Sequence, residues 1–300
     1  MSPRSFRQSA RRAFGVGVCG AWLLAGFADV TAQVPPSAQG QPPAGRQGQA
    51  GRQGGPPATA QAAAPTDVTG TWVAVITEDW SVRMMTPPKG DVASIPVNPA
   101  GREAAKNWDP AKDIAAGEQC KAFGAPGIMR MPTRIRISWQ DPQTLKLEFD
   151  NGTQTRLFHF DPKAHAPAQP GWQGHSIARW EGMLEAQGQT PQAAGGAAPG
   201  PVRGGASGGL HVVTTQLRPG YLRRNGVPYS GNAAYTEFFD VVPGTQGESW
   251  LIVTSELADP QYLNMPYMLS THFKKEADAS KFAPRPCELT PPPVAGTARN

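Results

Sequence analysis

The stretch from residue 133 to residue 160 reads TRIRISWQ-DPQT-LKLEFD-NG-TQTRLFHF, and it decides the fold class of this chain. Apolar and polar residues alternate along its longer segments, as they do in strands that bury one face. The tetrapeptide at 141–144 indicates a turn, and Asn151-Gly152 is a strong hairpin signal. The stretch therefore predicts three consecutive antiparallel strands, at 133–140, 145–150 and 153–160.

Six further segments rich in β-branched and aromatic residues extend this pattern over most of the chain. They predict strands at 71–83, 175–181, 210–218, 233–242, 249–257 and 267–274. A large antiparallel sheet must protect its edges, and closure is the usual solution. We therefore predict a mainly β fold, a single antiparallel β-barrel of eight to nine strands arranged as a lipocalin-like meander.

Helical signals are confined to the long connection between residues 86 and 132. Asn98 is suited to cap a helix and Pro99 to begin it, which predicts a short helix ending near Asn107. A second helix is expected at 110–117. The connection is expected to cover one end of the barrel.

The segment DVTGTW at 67–72 resembles the Gly-x-Trp opening of the first strand in lipocalins and avidin-like proteins. In those families the tryptophan closes one end of the barrel, so the resemblance implies a barrel shape without implying a ligand. Longer phrases resemble a functionally unassigned family of exported bacterial β-rich proteins, from which no catalytic residue is known to transfer. These phrases lie at 78–80, 86–90, 117–121, 152–156 and 259–263.

The first thirty-two residues have the organisation of an export signal. Four arginines at positions 4, 7, 11 and 12 precede an apolar run at 13–27 that is too short to cross a bilayer. Small residues predict cleavage after Ala32, so we expect a periplasmic or secreted protein with no membrane span after cleavage. The Arg11-Arg12 pair keeps the twin-arginine export route open.

Two segments are built from Pro, Gly, Gln and Ala, a composition that buries too little apolar surface to fold. They predict a disordered linker at 33–66 and a low-complexity surface loop at 186–208. The barrel domain is then expected at 67–290 and a flexible tail at 291–300.

The formal net charge of +5 falls to +2 when residues 1–32, with four arginines and one aspartate, are removed. A nearly neutral body gives little support to the binding of nucleic acid or of an anionic membrane surface. We therefore expect no nucleic-acid partner, and no feature of the sequence indicates an oligomeric state.

Cys120 and Cys287 remain after Cys19 leaves with the signal. In an oxidising compartment two cysteines most simply form one disulfide. Zinc is the competing interpretation, but neither cysteine has another Cys or a His at ligand spacing. We predict a disulfide, and we predict no cofactor.

Four of the five histidines fall in predicted strands, where imidazoles converging inside a barrel could hold a divalent metal. They are His159, His175, His211 and His272. Because no His-x-His or His-x-x-x-His spacing enforces such a site, we favour structural histidines.

Glu237 lies among aromatic residues in the predicted strand 233–242. If its side chain points inward, burial would raise its pKa and suit it to general acid–base catalysis. Glu237, His159 and Tyr235 are therefore the candidate catalytic residues. The alternative is that Glu237 pairs with an arginine or faces water.

A second set of residues is suited to ligand binding at the mouth of the barrel. Arginine holds a carboxylate with two hydrogen bonds, and aromatic side chains offer an apolar body with a polar handle. The loop at 219–226 is expected to act as a lid. The candidates are Arg156, His175, His211, Tyr221, Arg223, Tyr262 and Trp180.

Three functions are compatible with these features, and no familiar catalytic motif selects among them. The first, which we predict, is the binding of a small, mostly apolar molecule. The second is a cofactor-free lyase, isomerase or hydrolase, and the third is an envelope or interaction protein without a ligand. A buried cavity shared by Glu237 and a histidine would favour the enzyme.

Overall fold

The computed structural model of the chain describes residues 58–181 and 208–289. The predicted signal peptide with its cleavage site, the linker up to residue 57, most of the low-complexity loop and the predicted tail lie outside the described residues. Within those residues, no helix is long and apolar enough to cross a membrane.

Nine strands form a closed barrel in the described part of the chain, and two short strands form a separate hairpin. In chain order the strands are β1 (Gly70–Ala74), β2 (Arg134–Asp141), β3 (Thr144–Phe149), β4 (Gln154–His159), β5 (His175–Trp180), β6 (Leu210–Thr215), β7 (Gly220–Tyr221), β8 (Pro228–Tyr229), β9 (Ala234–Pro243), β10 (Ser249–Ala258) and β11 (Tyr267–Lys275). Hydrogen bonding runs around the barrel in the order β1-β11-β10-β9-β6-β5-β4-β3-β2 and from β2 back to β1. The mainly β barrel is therefore confirmed.

One neighbouring pair in this barrel is parallel, which corrects the prediction of a purely antiparallel sheet. β4 and β5 run in the same direction, with Phe158 opposite Ser176. A parallel pair needs a connection that returns along the barrel, and residues 160–174 provide one. Alternation of apolar residues predicts that a segment is a strand, but it does not predict in which direction the neighbouring strand runs.

The predicted strand at 71–83 is wrong beyond residue 74. β1 ends at Ala74, and a short helix, α1 (Trp80–Arg83), follows it. Asp79, immediately before this helix, has a φ of 53°, a left-handed conformation that interrupts an extended chain. The change of direction carries Arg83 to a position where 2% of its surface is exposed.

The connection between β1 and β2 contains both predicted helices, α2 (Pro99–Asn107) and α3 (Pro110–Ala115). The Asn98 side chain accepts a hydrogen bond from the Gly101 amide at 2.9 Å, which confirms it as the cap. The structure adds a 3₁₀ helix at Gln119–Phe123 and a short helix, α4 (Ala125–Ile128).

Buried apolar side chains form two clusters. The first fills the barrel and includes Trp72, Phe158 and Phe239. The second joins residues of the long connection, such as Val97, to the β7–β8 hairpin and to the ends of β9 and β10. The long connection therefore covers one end of the barrel, as expected.

Residues 58–66, the last part of the predicted linker, contact the barrel. The indole nitrogen of Trp180 donates to the Ala60 carbonyl at 2.8 Å, and the Gln61 amide donates to the Pro142 carbonyl at 3.1 Å. Contacts with the barrel therefore begin before residue 67.

Cys120 and Cys287 lie at disulfide distance, with their Sγ atoms 2.03 Å apart, as predicted. Arg285 strengthens the attachment of the segment after β11. Its amide donates to the Asp150 carbonyl at 2.7 Å, and its carbonyl accepts from the Thr153 hydroxyl at 2.8 Å. This segment is thus tied to the turn between β3 and β4.

Candidate functional site

A cavity of about 500 Å³ lies at the end of the barrel where β9 begins and β10 ends. Tyr235 of β9 and Ser255 and Leu257 of β10, all largely buried, line it from the barrel side. Helices α1 and α4, the loop at 91–94 and the segment 222–224 line it from the other side. The cavity therefore forms between the strands and the loops that cover this end.

Apolar side chains from several elements line much of this cavity. They are Val82, Met131, Leu222, Leu257 and Leu269. Met268 also lines it and is 62% exposed, so an apolar side chain lies at the rim. Polar and charged side chains make up about as much of the lining, and a concave site of this size that combines apolar surface with polar groups is suited to a small molecule.

Charged residues also line the cavity, and four arginines against two aspartates leave an excess of two positive charges. They are Arg83, Arg130, Arg223, Arg224, Asp79 and Asp91. Arg130 is paired with Asp79, with Nη2 lying 2.5 Å from Oδ2. Arg224 donates through Nη2 to the carbonyl oxygens of Arg83 and Met84, both at 2.9 Å. These two arginines therefore hold the wall together.

The guanidinium groups of Arg83 and Arg223 each have a nitrogen that makes no hydrogen bond with the described residues. Nη2 of Arg83 and Nη1 of Arg223 are buried, and neither has a hydrogen-bond partner among the described residues. Burial, and then the neighbouring charge of Arg130, lower the pKa of Arg83 to about 10. Arg83 therefore still carries its charge at neutral pH.

Tyr235 is the candidate catalytic residue that reaches the cavity. Burial, and then the charge of Glu237, raise the pKa of Tyr235. Its phenol therefore stays protonated at neutral pH, where it can donate a hydrogen bond but is a poor base.

Glu237 is fully buried inside the barrel and is paired with Arg156. Nη1 and Nη2 of Arg156 lie 3.0 and 2.5 Å from the two carboxylate oxygens. Nη2 also donates to the Thr214 hydroxyl at 3.2 Å, and that hydroxyl lies 2.8 Å from Ser176 Oγ. Glu237 therefore pairs with an arginine, as the alternative interpretation of the sequence proposed. Neither member of this ion pair lines the cavity.

His159 and His175 lie on the outer face of the barrel. Phe158 is buried in the interior, so alternation along β4 directs His159 outward, away from Glu237. The His159 ring stacks on His175 with their centroids 5.5 Å apart. These two histidines therefore lie side by side on the outer face of the parallel pair β4 and β5.

His211 also faces outward, where it stacks on Phe238 with the ring centroids 4.6 Å apart. Glu237 thus shares no cavity with the histidines that were expected to act with it. The structure does not bring Glu237, His159 and Tyr235 together as a catalytic grouping, because Glu237 and Tyr235 face the interior of the barrel and His159 faces outward.

The remaining predicted residues are divided between other sites. Tyr221 and Tyr262 line a second cavity of about 410 Å³, where the Tyr221 hydroxyl donates to Asp113 Oδ2 at 2.8 Å. Trp180 lies at the opposite end of the barrel, beside Trp139. Of the predicted residues, Arg223 and Tyr235 line the main cavity.

Arg83, Arg130 and Ser255 line the main cavity and are absent from the predicted set. Arg83 was not predicted as a site residue because residues 71–83 were predicted to form one strand. Ser255 lies between Val253 and Leu257 in the inward-facing series of β10, and that alternation is the signal that could have identified it.

No family model, curated protein or solved structure matches this chain. Within residues 58–181 and 208–289, no group of three or more His, Cys, Asp or Glu side chains is placed to hold a metal ion.

Proposed function

We propose that this chain is an exported binding protein that takes up a small, mostly apolar molecule in the cavity at the end of its barrel. The observation that carries the proposal is the cavity itself, about 500 Å³ in volume, in which the strands and the covering loops both supply apolar side chains beside polar and charged ones. Burial of the ligand against these side chains would supply the free energy of binding.

The position of Glu237 supports binding over the enzymatic alternative. A general acid–base must reach the substrate, but both carboxylate oxygens of Glu237 are engaged by Arg156 and neither residue lines the cavity. The tyrosine that does reach the cavity, Tyr235, has a raised pKa and favours hydrogen bonding over proton abstraction.

N-phenylnaphthylamine, a neutral apolar dye that fluoresces when it leaves water, provides the test. We expect it to bind the purified protein in a saturable manner. Ala93 is exposed and lines the cavity, so Ala93→Trp should block it and weaken binding at least tenfold. Ala100 is also exposed but lies on α2 and does not line the cavity, and Ala100→Trp should leave binding unchanged. Absence of dye binding, or equal binding by both variants, would contradict the proposal.

A further inference from the structure

The cavity contains two arginines whose hydrogen bonding is incomplete. Arg83 donates through Nε to the Arg130 carbonyl at 3.2 Å and through Nη1 to the Val75 carbonyl, which leaves Nη2 buried and unbonded. With 2% of its surface exposed, Arg83 cannot turn this nitrogen to bulk water without moving its neighbours.

Arg223 contributes the second such nitrogen from another segment on the same side of the cavity. It lies between β7 and β8, and its Nη1 is buried without a partner among the described residues. Arg224, the next residue, donates to the Arg83 carbonyl at 2.9 Å, so the segment that carries Arg223 is joined to α1 at this point. Arg83 and Arg223 therefore both line one cavity, and each has one buried guanidinium nitrogen without a partner among the described residues.

Buried polar groups in proteins are almost always hydrogen-bonded, and an unbonded one carries a desolvation cost. The cavity has two guanidinium donors and an excess of positive charge. The acceptor that suits it best is therefore a group that is itself negatively charged. Asp79 does not fill this role because it pairs with Arg130, and Asp91 Oδ1 accepts from the Ala93 amide at 2.9 Å.

We infer that the ligand carries an oxoanion headgroup, a carboxylate, sulfonate or phosphate, that accepts hydrogen bonds from Arg83 and Arg223. This inference rests on the proposed function, and it deepens it by naming the ligand class as an anionic amphiphile. The apolar part lies against Leu222 and Leu257, which line the same cavity.

A matched pair of dyes tests the inference. Anilinonaphthalene sulfonate and N-phenylnaphthylamine share one ring system and differ by the sulfonate. We expect the sulfonate to bind about 10- to 100-fold more tightly, the range that charge-assisted hydrogen bonds provide. Arg223→Met should weaken the sulfonate at least tenfold and change the neutral dye by less than twofold. Arg102→Met, which removes an exposed arginine from α2, should change neither.

Arg83→Met should give the same selective loss as Arg223→Met. Because Arg83 also holds two backbone carbonyls, Arg223→Met decides the question if Arg83→Met does not fold. Equal affinities for the two dyes, or equal weakening of both by Arg223→Met, would overturn the inference and leave the proposed function standing. Failure of both dyes to bind the unsubstituted protein would overturn the proposed function and the inference with it.

Competition against the bound sulfonate dye distinguishes the headgroups. Decanoate, decyl phosphate and decanol share one alkyl chain, and we expect the two anions to displace the dye at concentrations at least tenfold below that of decanol. The more effective anion identifies the headgroup. Equal displacement by decanol would count against any role of the charge.

Discussion

Arg156 and Glu237 form a two-point ion pair inside the barrel, and neither side chain has any exposed surface. The pair joins β4 to β9, strands that are separated by β5 and β6 in the barrel. Thr214 of β6 and Ser176 of β5 extend the network between them. Hydrogen bonds of this network therefore link four strands, β4, β5, β6 and β9.

Removing one member of this pair should be strongly destabilising. Glu237→Leu or Arg156→Met leaves an uncompensated buried charge, and we expect the free energy of unfolding to fall by about 3–5 kcal/mol. The double variant Arg156→Met/Glu237→Leu leaves no charge and should lose less than either single variant. Urea denaturation of all four proteins measures these differences as a double-mutant cycle.

Arg136 and Glu148 provide the matched control on the outer face. They are joined across β2 and β3 at 3.0 Å, with 44% of the Arg136 side chain exposed. Arg136→Met should cost less than about 1 kcal/mol, because water screens the pair. Similar decreases in the free energy of unfolding for variants of the buried and the exposed pair would show that burial does not determine the contribution of the Arg156–Glu237 pair.

The disulfide between Cys120 and Cys287 should contribute substantially to stability. It closes a loop with a sequence separation of 167, for which the chain-entropy relation gives about 5 kcal/mol. We expect Cys120→Ala/Cys287→Ala to lower the free energy of unfolding by an amount approaching this value. Denaturation of the oxidised protein, the reduced protein and the double variant provides the comparison, and equal stability of all three would contradict it.

Stability should fall as the pH drops below about 6.5. Burial, and then the charge of His175, lower the pKa of His159 from its usual 6.5, while Asp141 opposes the shift. The unfolded chain therefore binds protons at a higher pH than the folded one, so acid favours unfolding. Burial and then Arg179 lower the pKa of His211 in the same direction.

Urea midpoints at pH 7.5 and pH 5 measure this dependence. His159→Gln should reduce the difference between the two midpoints. His165 is exposed, and His165→Gln serves as the control that should leave the difference unchanged. A larger midpoint at pH 5 than at pH 7.5 would contradict the sign of the effect.

Local pattern was sufficient to predict most of the strands. The hairpin at Asn151-Gly152 and the alternation on both sides of it correspond closely to β3 and β4. It failed after β1, where the strand ends at Ala74 and a short helix begins at Trp80 within the segment that was predicted to continue as a strand. It also failed for the parallel pair of β4 and β5. The direction of β5 depends on the path of residues 160–174, and the alternation of apolar and polar side chains does not encode that path.

The site was less predictable because it joins segments that are distant in the chain. Arg223 and Tyr235 belong to recognisable local contexts, a turn-rich loop and an aromatic strand, and both line the cavity. Arg83 had no such context. The pairing of Glu237 with Arg156 required an arginine 81 residues away to face the same interior, which no short-range pattern encodes.

Residues 58–66 should be needed for the stability of the barrel end that contains Trp180. Their composition predicts a linker, yet Ala60 accepts the indole hydrogen bond of Trp180 at 2.8 Å, and Trp180 is 7% exposed. Deleting 58–66 uncovers this indole and Trp139 beside it. We expect a loss of about 1–2 kcal/mol, the sum of one hydrogen bond and a small apolar contact, and a red shift of the tryptophan emission. The same deletion in a Trp139→Phe/Trp180→Phe background should leave the emission unchanged, because the remaining tryptophans lie elsewhere. An unshifted spectrum in the first deletion would mean that this segment does not cover the barrel in solution.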